Sequence, residues 1–365
     1  MRTVLVELGA RSYPVHIGRA LLERAGELLK PHLADSRLLL VSDSQVAPLY
    51  LERAAAGLRR GGFAVEETVI AAGEASKALA GYGLLLERLA AGGFERRDAV
   101  VALGGGMVSD LAGFAAATYH RGIALAILPT TLLAMADASI GGKVAVNLPQ
   151  GKNQVGAFHQ PRAVIADLET LQTLSVEQIA AGLAEIIKVA ILFDADLFAA
   201  IERSRRELLA PELELYPHLL VRAVGLKAAV VARDERETGE RALLNLGHTF
   251  AHGLEAAGNW TRLSHGAAVL LGLIAAARLA HSLGLLKPAD QDRIERLATA
   301  LLSVCHPGAI DFARAETAMT ADKKAEFGRL RFILPHAIGR AEVHADVPAA
   351  AARETLQSLQ PFLIS

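Results

Sequence analysis

The spacing of apolar residues changes character near residue 170. Up to about Leu168, short apolar or β-branched runs alternate with segments of helical period. Leu38-Leu39-Leu40-Val41-Ser42-Asp43 predicts a parallel strand with an acid at its C-terminal end, and residues 64–70 a second strand. Residues 82–91 have helical period. Ala99-Val100-Val101-Ala102-Leu103 reads as a buried strand that runs straight into Gly104-Gly105-Gly106. A helix-like segment follows, then another apolar strand ending at Pro129-Thr130-Thr131. This alternation predicts an α/β N-terminal domain with a Rossmann-like parallel sheet, whose ligands bind at the strand C-termini. After Thr170 long amphipathic stretches take over, at 176–192, 217–233, 243–257, 265–283 and 289–302. They predict a mostly α-helical C-terminal domain, so the expected division is 1–170 and 171–365. Phe332-Ile333-Leu334 and residues 340–343 are expected to close the chain as a small hairpin.

Composition narrows the partners. With 52% hydrophobic residues and a formal net charge of −1, the chain has no general attraction for nucleic acid or an anionic membrane. Its 365 residues are long for one core, which again favours two domains. The single cysteine, Cys305, excludes a disulfide framework and any cysteine-rich zinc module, as a reducing cytoplasm would require. Glu7 and Arg11 fall where a signal peptide would need its apolar centre. The most apolar helical stretch, 266–280, carries Arg278 and is expected to be too short to cross a bilayer.

Candidate chemistry begins in residues 104–153. A strand, a glycine turn and a helix N-terminus together make an anion site, because bare backbone lets phosphate approach unpaired N–H groups. Gly104, Gly106 and Ser109 give only G-x-G-x-x-S, and such a loop taken singly is more often a plain strand-to-helix turn. Density changes that reading. Four glycine-containing turns within fifty residues also carry Asp110, Arg121, Asp137, Lys143, Lys152 and Asn153. Gly141-Gly142-Lys143 and Gly151-Lys152-Asn153 point to a second anion, so a nucleotide beside a phosphorylated substrate is the expectation.

The helical half holds a different set. Glu185 and Lys188 are three apart and share a helix face, and His248 and His252 are four apart and share another. His265 follows. Histidines with a carboxylate can supply the nitrogen and oxygen ligands of a zinc site with an open position. Spacing alone makes His248 and His252 the chelating pair, and it leaves open whether the remaining histidine is a ligand or a proton shuttle. Lys227, Arg241 and Asn245, with Asp322-Lys323-Lys324 further on, extend the polar set toward a cage for several negative charges.

These motifs together resemble the 3-dehydroquinate synthase family of sugar-phosphate cyclases. The resemblance rests on Gly73-Glu74-Ala75-Ser76-Lys77, residues 104–119 with Arg121-Gly122, 129–147, 151–161, 184–188, 241–252, His265-Gly266 and Asp322-Lys323-Lys324. It implies a dehydroquinate synthase-like fold with NAD on the first domain and one divalent metal on the second, zinc first and cobalt as the alternative. By resemblance, Asp43, Glu74, Lys77, Gly104, Gly105, Gly106, Asp110, Thr130 and Thr131 contact NAD, and Lys143 and Lys152 serve cofactor and substrate alike. Glu185, His248 and His265 match the metal ligands, which displaces the spacing-based pair and leaves His252 for acid–base work. Lys188, Asp137 and Asn245 match residues that orient the substrate hydroxyls, and Lys227 with Arg241 the carboxylate pair. Arg121, reaching in from a second copy of a homodimer, Lys143, Lys152, Asn153, Lys323 and Lys324 match the phosphate end. Four positions depart from the family pattern: Ser109, Ala138, Val144 and Ala267 stand where glycine, serine, threonine and glutamate are usual.

The implied reaction converts 3-deoxy-D-arabino-heptulosonate 7-phosphate to 3-dehydroquinate and phosphate. Transient oxidation by NAD makes a neighbouring proton acidic, phosphate leaves by β-elimination, hydride returns, and an intramolecular aldol step closes the ring. Two other readings compete. A cyclase for sedoheptulose 7-phosphate or glucose 6-phosphate would give Lys227, Arg241 and Asn245 no carboxylate to hold. A metal-dependent polyol dehydrogenase would have no use for the phosphate-end lysines.

Overall fold

A computed structural model describes residues 1–209, 214–259, 262–324 and 331–363, with the side chains of 320–324 outside that description. It divides into two compact units. The first is Met1–Thr173 with Leu213–Arg236, and the second is Leu174–Glu212 with Glu237–Ser365.

The first unit is built on a seven-stranded sheet. In chain order its strands are β1 (Arg2–Val6), β2 (Tyr13–Gly18), β3 (Arg37–Asp43), β4 (Ala64–Ile70), β5 (Ala99–Gly104), β6 (Ala124–Pro129) and β9 (Val164–Asp167). Between the last two, β7 (Lys143–Leu148) and β8 (Gly151–Phe158) form a separate antiparallel hairpin. The spatial order is β1-β2-β9-β6-β5-β3-β4, and only β1 runs antiparallel to its neighbour. Strands β3, β5 and β6 are buried along almost their whole length, as the continuous apolar runs require of strands covered on both faces. Helices α1 (Ala25–Leu29) and α2 (Ala47–Arg60) cover one apolar surface, where Leu29, Leu38, Leu58 and Val101 share a core. Two further helices, α3 (Leu79–Ala91) and α4 (Gly106–Thr118), follow β4 and β5. The sheet order reverses between β3 and β5, so the crevice at their C-terminal ends is where such a sheet binds ligands.

The second unit is helical. Helices α5 (Val176–Phe193), α6 (Ala195–Arg203) and α7 (Arg205–Leu209) precede α8 (Tyr216–Arg233), which belongs to the first unit and packs on β1. Then come α9 (His248–Ala257), α10 (His265–Ser282), α11 (Pro288–Leu302), α12 (Phe312–Lys324), the hairpin of β10 (Phe332–Ala337) with β11 (Arg340–His344), and α13 (Ala349–Gln357). Ser175 opens α5 with a reciprocal capping box through Gln178, and Ser264 caps α10 through the Ala267 N–H. Helix α10 lies at the centre, touching α5, α9, α11, α13 and β10.

Three expectations change. The stretch from 217 to 233 falls in the first unit, not in a continuous C-terminal domain from 171 to 365. The helix expected from 243 begins only at His248, because Glu240–Asn245 is a 3-10 segment and Gly247 turns the chain at φ +78°. The expectation that the apolar helix is too short to cross a bilayer also changes. His265–Ser282 is long and apolar enough to cross a membrane by length and composition, yet 78% of it is buried within protein. Apolar residues all round such a helix are what a core position demands.

Candidate active site

In the first unit the predicted nucleotide residues gather at the strand C-termini. Asp43 ends β3, Gly104 ends β5, and Thr130 follows β6. Gly105 caps α4 in extended conformation, and α4 starts at Gly106. A Cβ on Gly104 would lie 2.6 Å from Val108 Cγ2, so that glycine is needed for strand-to-helix packing. Beside the loop, the Thr130 backbone N–H donates to Gly104 O at 2.9 Å. Its hydroxyl Oγ1 and that of Ser42, at the end of β3, are buried with no hydrogen-bond partner. Buried polar atoms of that kind normally have partners, so two of them flanking a glycine turn suit a bound polar ligand. Asp43 Oδ1 accepts from the N–H groups of Gln45 and Val46, which ties down the turn into α2.

A polar network joins the residues after β4 to the β7–β8 hairpin. Lys77, almost fully buried, ion-pairs with Asp110 on α4 and donates to Asn153 Oδ1 at 2.5 Å. Asn153 holds φ at +57°, and its N–H donates to Asn147 Oδ1 at 3.0 Å. Asn147 Nδ2 in turn donates to Glu74 Oε1 at 2.7 Å. Asn147 was missed by motif reasoning; only its place between two glycine turns hinted at it. Burial pushes the Asp110 carboxyl up to about 6 even though Lys77 opposes the shift.

Lys227 on α8 is buried and reaches Asp137, donating to its carbonyl at 2.8 Å and pairing with Oδ1 at 2.7 Å. Lys143 and Asn153 are exposed and Lys152 is partly so, all on the β7–β8 hairpin. Arg121 is exposed at φ +68°, between His120 at +49° and Gly122 at +120°. Two successive non-glycine residues at positive φ are a costly loop conformation, and Gly122 carries none of that cost.

The second unit brings three of the predicted donors together. Glu185, His248 and His265 place one ligand atom each within 4.8 Å of the others. Glu185 Oε1 is 3.3 Å from His265 Nε2 and 3.7 Å from His248 Nε2. Tetrahedral zinc with bonds of about 2.0–2.1 Å would hold its ligand atoms about 3.3 Å apart. The donor set therefore fits a divalent metal. Each imidazole also turns its other nitrogen to an oxygen: His248 Nδ1 to Leu246 O at 3.2 Å, and His265 Nδ1 to Glu255 Oε1 at 3.4 Å. His252, one turn further along α9, is exposed, with its ring centroid 5.4 Å from that of His248, and it is not in the cluster. The pairing of His248 with His252 as chelators is thus not the arrangement formed.

Helix approach sets this geometry. A Cβ on Gly266 would fall 2.2 Å from Ala181 Cα, and one on Gly272 2.2 Å from Gly247 O. Glycine lets α10 lie against α5, which carries Glu185, and against the turn that starts the His248 helix. Lys188, buried, contacts Glu185 Oε2. Burial alone would raise the Glu185 carboxyl, but Lys188, His265 and His248 hold it well below the usual range. Burial, aided by Lys188, drives His248 down to about 3, which keeps its ring neutral and ready to ligate. Burial also pulls on His265, but Glu185 and Glu255 outweigh it and raise that ring, an effect weakened by the 38% exposure of its side chain. Arg241 is buried in the 3-10 segment, and Asn245 Nδ2 donates to Glu237 Oε1 at 2.9 Å. Lys227 and Arg241 thus lie on different units. The side chains of Lys323 and Lys324 lie outside the described residues.

Known proteins are similar to this chain end to end. The 3-dehydroquinate synthase N-terminal family matches residues 67–181, and the 3-dehydroquinate synthase C-terminal family matches residues 182–325. The chain belongs to the 3-dehydroquinate synthase family. It is 44% identical over 358 residues, 98% of each chain, to a 3-dehydroquinate synthase of Acidithiobacillus ferrooxidans. It is 45% identical to one of Nitrobacter winogradskyi, covering 97% of this chain and 95% of that one. Among solved structures, 2-epi-5-epi-valiolone synthase from Streptomyces hygroscopicus, with NAD+ and Zn2+ bound, is similar at 31% identity and a TM-score of 0.86, covering 98% and 99% of the two chains. A 2-deoxy-scyllo-inosose synthase complexed with carbaglucose-6-phosphate, NAD+ and Co2+ gives 27% identity and a TM-score of 0.88, covering 98% and 100%. An iron-containing alcohol dehydrogenase of Thermotoga maritima, at 14% identity and a TM-score of 0.69, shares the fold with this family member.

Proposed function

We propose that the chain is a carbon–oxygen lyase converting 3-deoxy-D-arabino-heptulosonate 7-phosphate to 3-dehydroquinate and phosphate, the second step of the shikimate pathway. The observation that carries this reading is 44–45% identity along nearly the whole chain with proteins named for that reaction. The cofactors in this reading are NAD and one divalent metal, zinc or alternatively cobalt. The donor set of the second unit and the metals named for the two cyclase structures support them.

When bound, NAD supplies a transient oxidation and the metal polarises the substrate hydroxyls. Glu185, His248 and His265 would hold the metal. Asp43, Glu74, Lys77, Gly104, Gly105, Gly106, Asp110, Thr130 and Thr131 would hold the cofactor, with Lys143 and Lys152. Lys188, Asp137 and Asn245 orient the hydroxyls. His252, exposed and one turn from a ligand, moves a proton at its imidazole. Lys227 and Arg241 grip the carboxylate, and Lys143, Lys152, Asn153, Lys323 and Lys324 the phosphate. That grip also retains the intermediates until the carbocycle closes. Arg121 completes the phosphate end from the partner of a homodimer, and the enzyme works in the cytoplasm.

The decisive assay incubates purified protein with the heptulosonate phosphate, NAD and zinc, and follows phosphate and NADH together. Phosphate should appear in step with dehydroquinate while NADH stays at its catalytic level. Steady NADH accumulation would replace this reading by a polyol dehydrogenase. Phosphate release from sedoheptulose 7-phosphate or glucose 6-phosphate, but not from the acid, would move the chain to a neighbouring cyclase.

A further inference from the structure

Every member of the metal cluster is held by a second oxygen or cation, and the group holding His265 is the unexpected one. The residue two after His265 is Ala267, which is fully buried and offers no side-chain oxygen. The oxygen that faces His265 Nδ1 comes from another helix. Glu255 on α9 is 2% exposed, with Oε1 3.4 Å from His265 Nδ1. The opposite nitrogen of the same ring, Nε2, faces Glu185 Oε1 at 3.3 Å. The ring is thus gripped between two carboxylates, one on each nitrogen.

Helix α9 carries both groups involved. His248 and Glu255 are seven residues apart, two turns along one face. One helix therefore supplies a donor and braces another donor on α10. A buried carboxylate opposite an imidazole N–H is costly to desolvate unless it is used. The arrangement mirrors that of His248, whose Nδ1 faces the Leu246 carbonyl at 3.2 Å. In each ring the Nδ1 proton has an oxygen to meet, and that leaves Nε2 as the ligating lone pair.

We infer that Glu255 is a positioning residue of the metal centre. Its carboxylate accepts from His265 Nδ1–H, fixes the tautomer and the ring plane, and makes the ligand more basic. This rests on the metal reading proposed above. An acceptor of this kind typically accounts for ten- to hundredfold in metal affinity, roughly the same range as its loss should show here.

The test uses Co2+ as the probe, because its visible spectrum reports ligand number and geometry as well as affinity. Wild type, Glu255→Ala, Glu255→Gln and His248→Ala are titrated with Co2+ under chelator competition, and melting is followed on the metal-free proteins. Glu255→Ala should bind Co2+ about ten- to hundredfold more weakly, with an altered spectrum. Glu255→Gln keeps an acceptor oxygen and should fall between alanine and wild type, so the ranking survives even if the alanine variant folds poorly. In the zinc-loaded proteins, nitrogen NMR of His265 should show a hydrogen-bonded, slowly exchanging Nδ1–H in wild type and a fast-exchanging one in Glu255→Ala. Wild-type affinity, spectrum and Nδ1–H exchange in both Glu255 variants, with only the melting temperature lowered, would make Glu255 a structural residue and overturn the inference. Failure of wild type to bind Co2+ more tightly than His248→Ala would instead overturn the metal reading itself.

Discussion

Replacing Gly266 with alanine tests whether the metal geometry is set by the approach of two helices. At this position α10 meets α5, and a Cβ would lie 2.2 Å from Ala181 Cα and 2.3 Å from its Cβ. Neither atom belongs to a flexible side chain that can swing aside. The helices must therefore part by about 1.3 Å to regain an ordinary carbon–carbon contact. Gly266 adjoins His265, and Ala181 lies one turn before Glu185, so the displacement falls on the 3.3 Å separation between His265 Nε2 and Glu185 Oε1. Metal–ligand bonds tolerate about 0.2 Å. Overpacking of this kind costs about 1–3 kcal/mol. If drawing the helices together around a metal meets that strain, affinity falls roughly five- to hundredfold. The measurement is Zn2+ affinity by chelator competition, beside thermal melts with and without metal. Gly83→Ala is the control, since α3 leaves open space around that position. It should gain about 1 kcal/mol from helix propensity and bind metal as wild type does. If Gly266→Ala melts lower yet binds Zn2+ with unchanged affinity, helix spacing does not set the site.

Three further outcomes are expected. His252→Ala should keep its metal, read by bound zinc per chain, and lose kcat, because an exposed residue outside the cluster is not needed to hold the ion; an empty site would restore the spacing-based chelate. Arg241 is too buried for a clean truncation, so Arg241→Gln is the better change. It should weaken a carboxylate-bearing carbocyclic phosphonate by about one to two orders of magnitude, the worth of a charge-assisted bond, and leave the decarboxylated analogue alone, with inhibition constants as the readout. The third concerns Asp110, whose carboxyl rises from an ordinary 3.8 to about 6, mainly through burial. A raised acid binds its proton more tightly in the folded state, so that contribution is complete below the ordinary value and is lost as pH climbs through about 6. Asp110→Asn cannot lose it, so the variant's melting temperature should gain on wild type as pH rises from the ordinary 3.8 through about 6 and level off above that; a constant difference would mean the carboxyl is not raised.

Much of the first unit was legible because burial on both sheet faces leaves unbroken apolar runs. Residues 38–43, 64–70 and 99–103 are strands within a residue of expectation, and their ends carry the nucleotide candidates. The β7–β8 hairpin was not legible as strands. Its glycines and lysines read as anion turns rather than strands, and Gly156 sits where a Cβ would strike Val144 O at 2.3 Å. Helix α8 was legible as a helix, but its place in the first unit depends on contacts with β1 that no period reveals. The metal cluster shows the limit of spacing most directly. An i,i+4 rule pairs His248 with His252, whereas the nitrogen that completes the cluster comes from α10, held close by Gly266 and Gly272. Close approach of helices is written in small residues whose partners lie far away in sequence.

The four departures from the family pattern can be read through packing. Ser109 is buried on the first turn of α4 and turns its hydroxyl back to Gly105 O at 3.2 Å, a bond available inside a helix without disturbing the loop. Ala138 lies beside the glycine turn, where a Cβ added to Gly106 would come 3.3 Å from the Ala138 Cβ, and alanine in place of serine drops only a hydroxyl. Val144 lies over Gly113 of α4, where an added Cβ would be 2.4 Å from Val144 Cγ1; valine keeps the branched shape of threonine and drops only the hydroxyl. At these three places the exchange preserves volume or supplies its own hydrogen bond, and no donor of the nucleotide or metal sites is touched. Ala267 is different, because a carboxylate has gone from the first turn of the helix that starts with His265. Glu255 lies where it can supply that charge from α9 instead, at 3.4 Å from the ring. The first turn of α10 carries no acidic residue, so the carboxylate oxygen that faces His265 Nδ1 comes from α9.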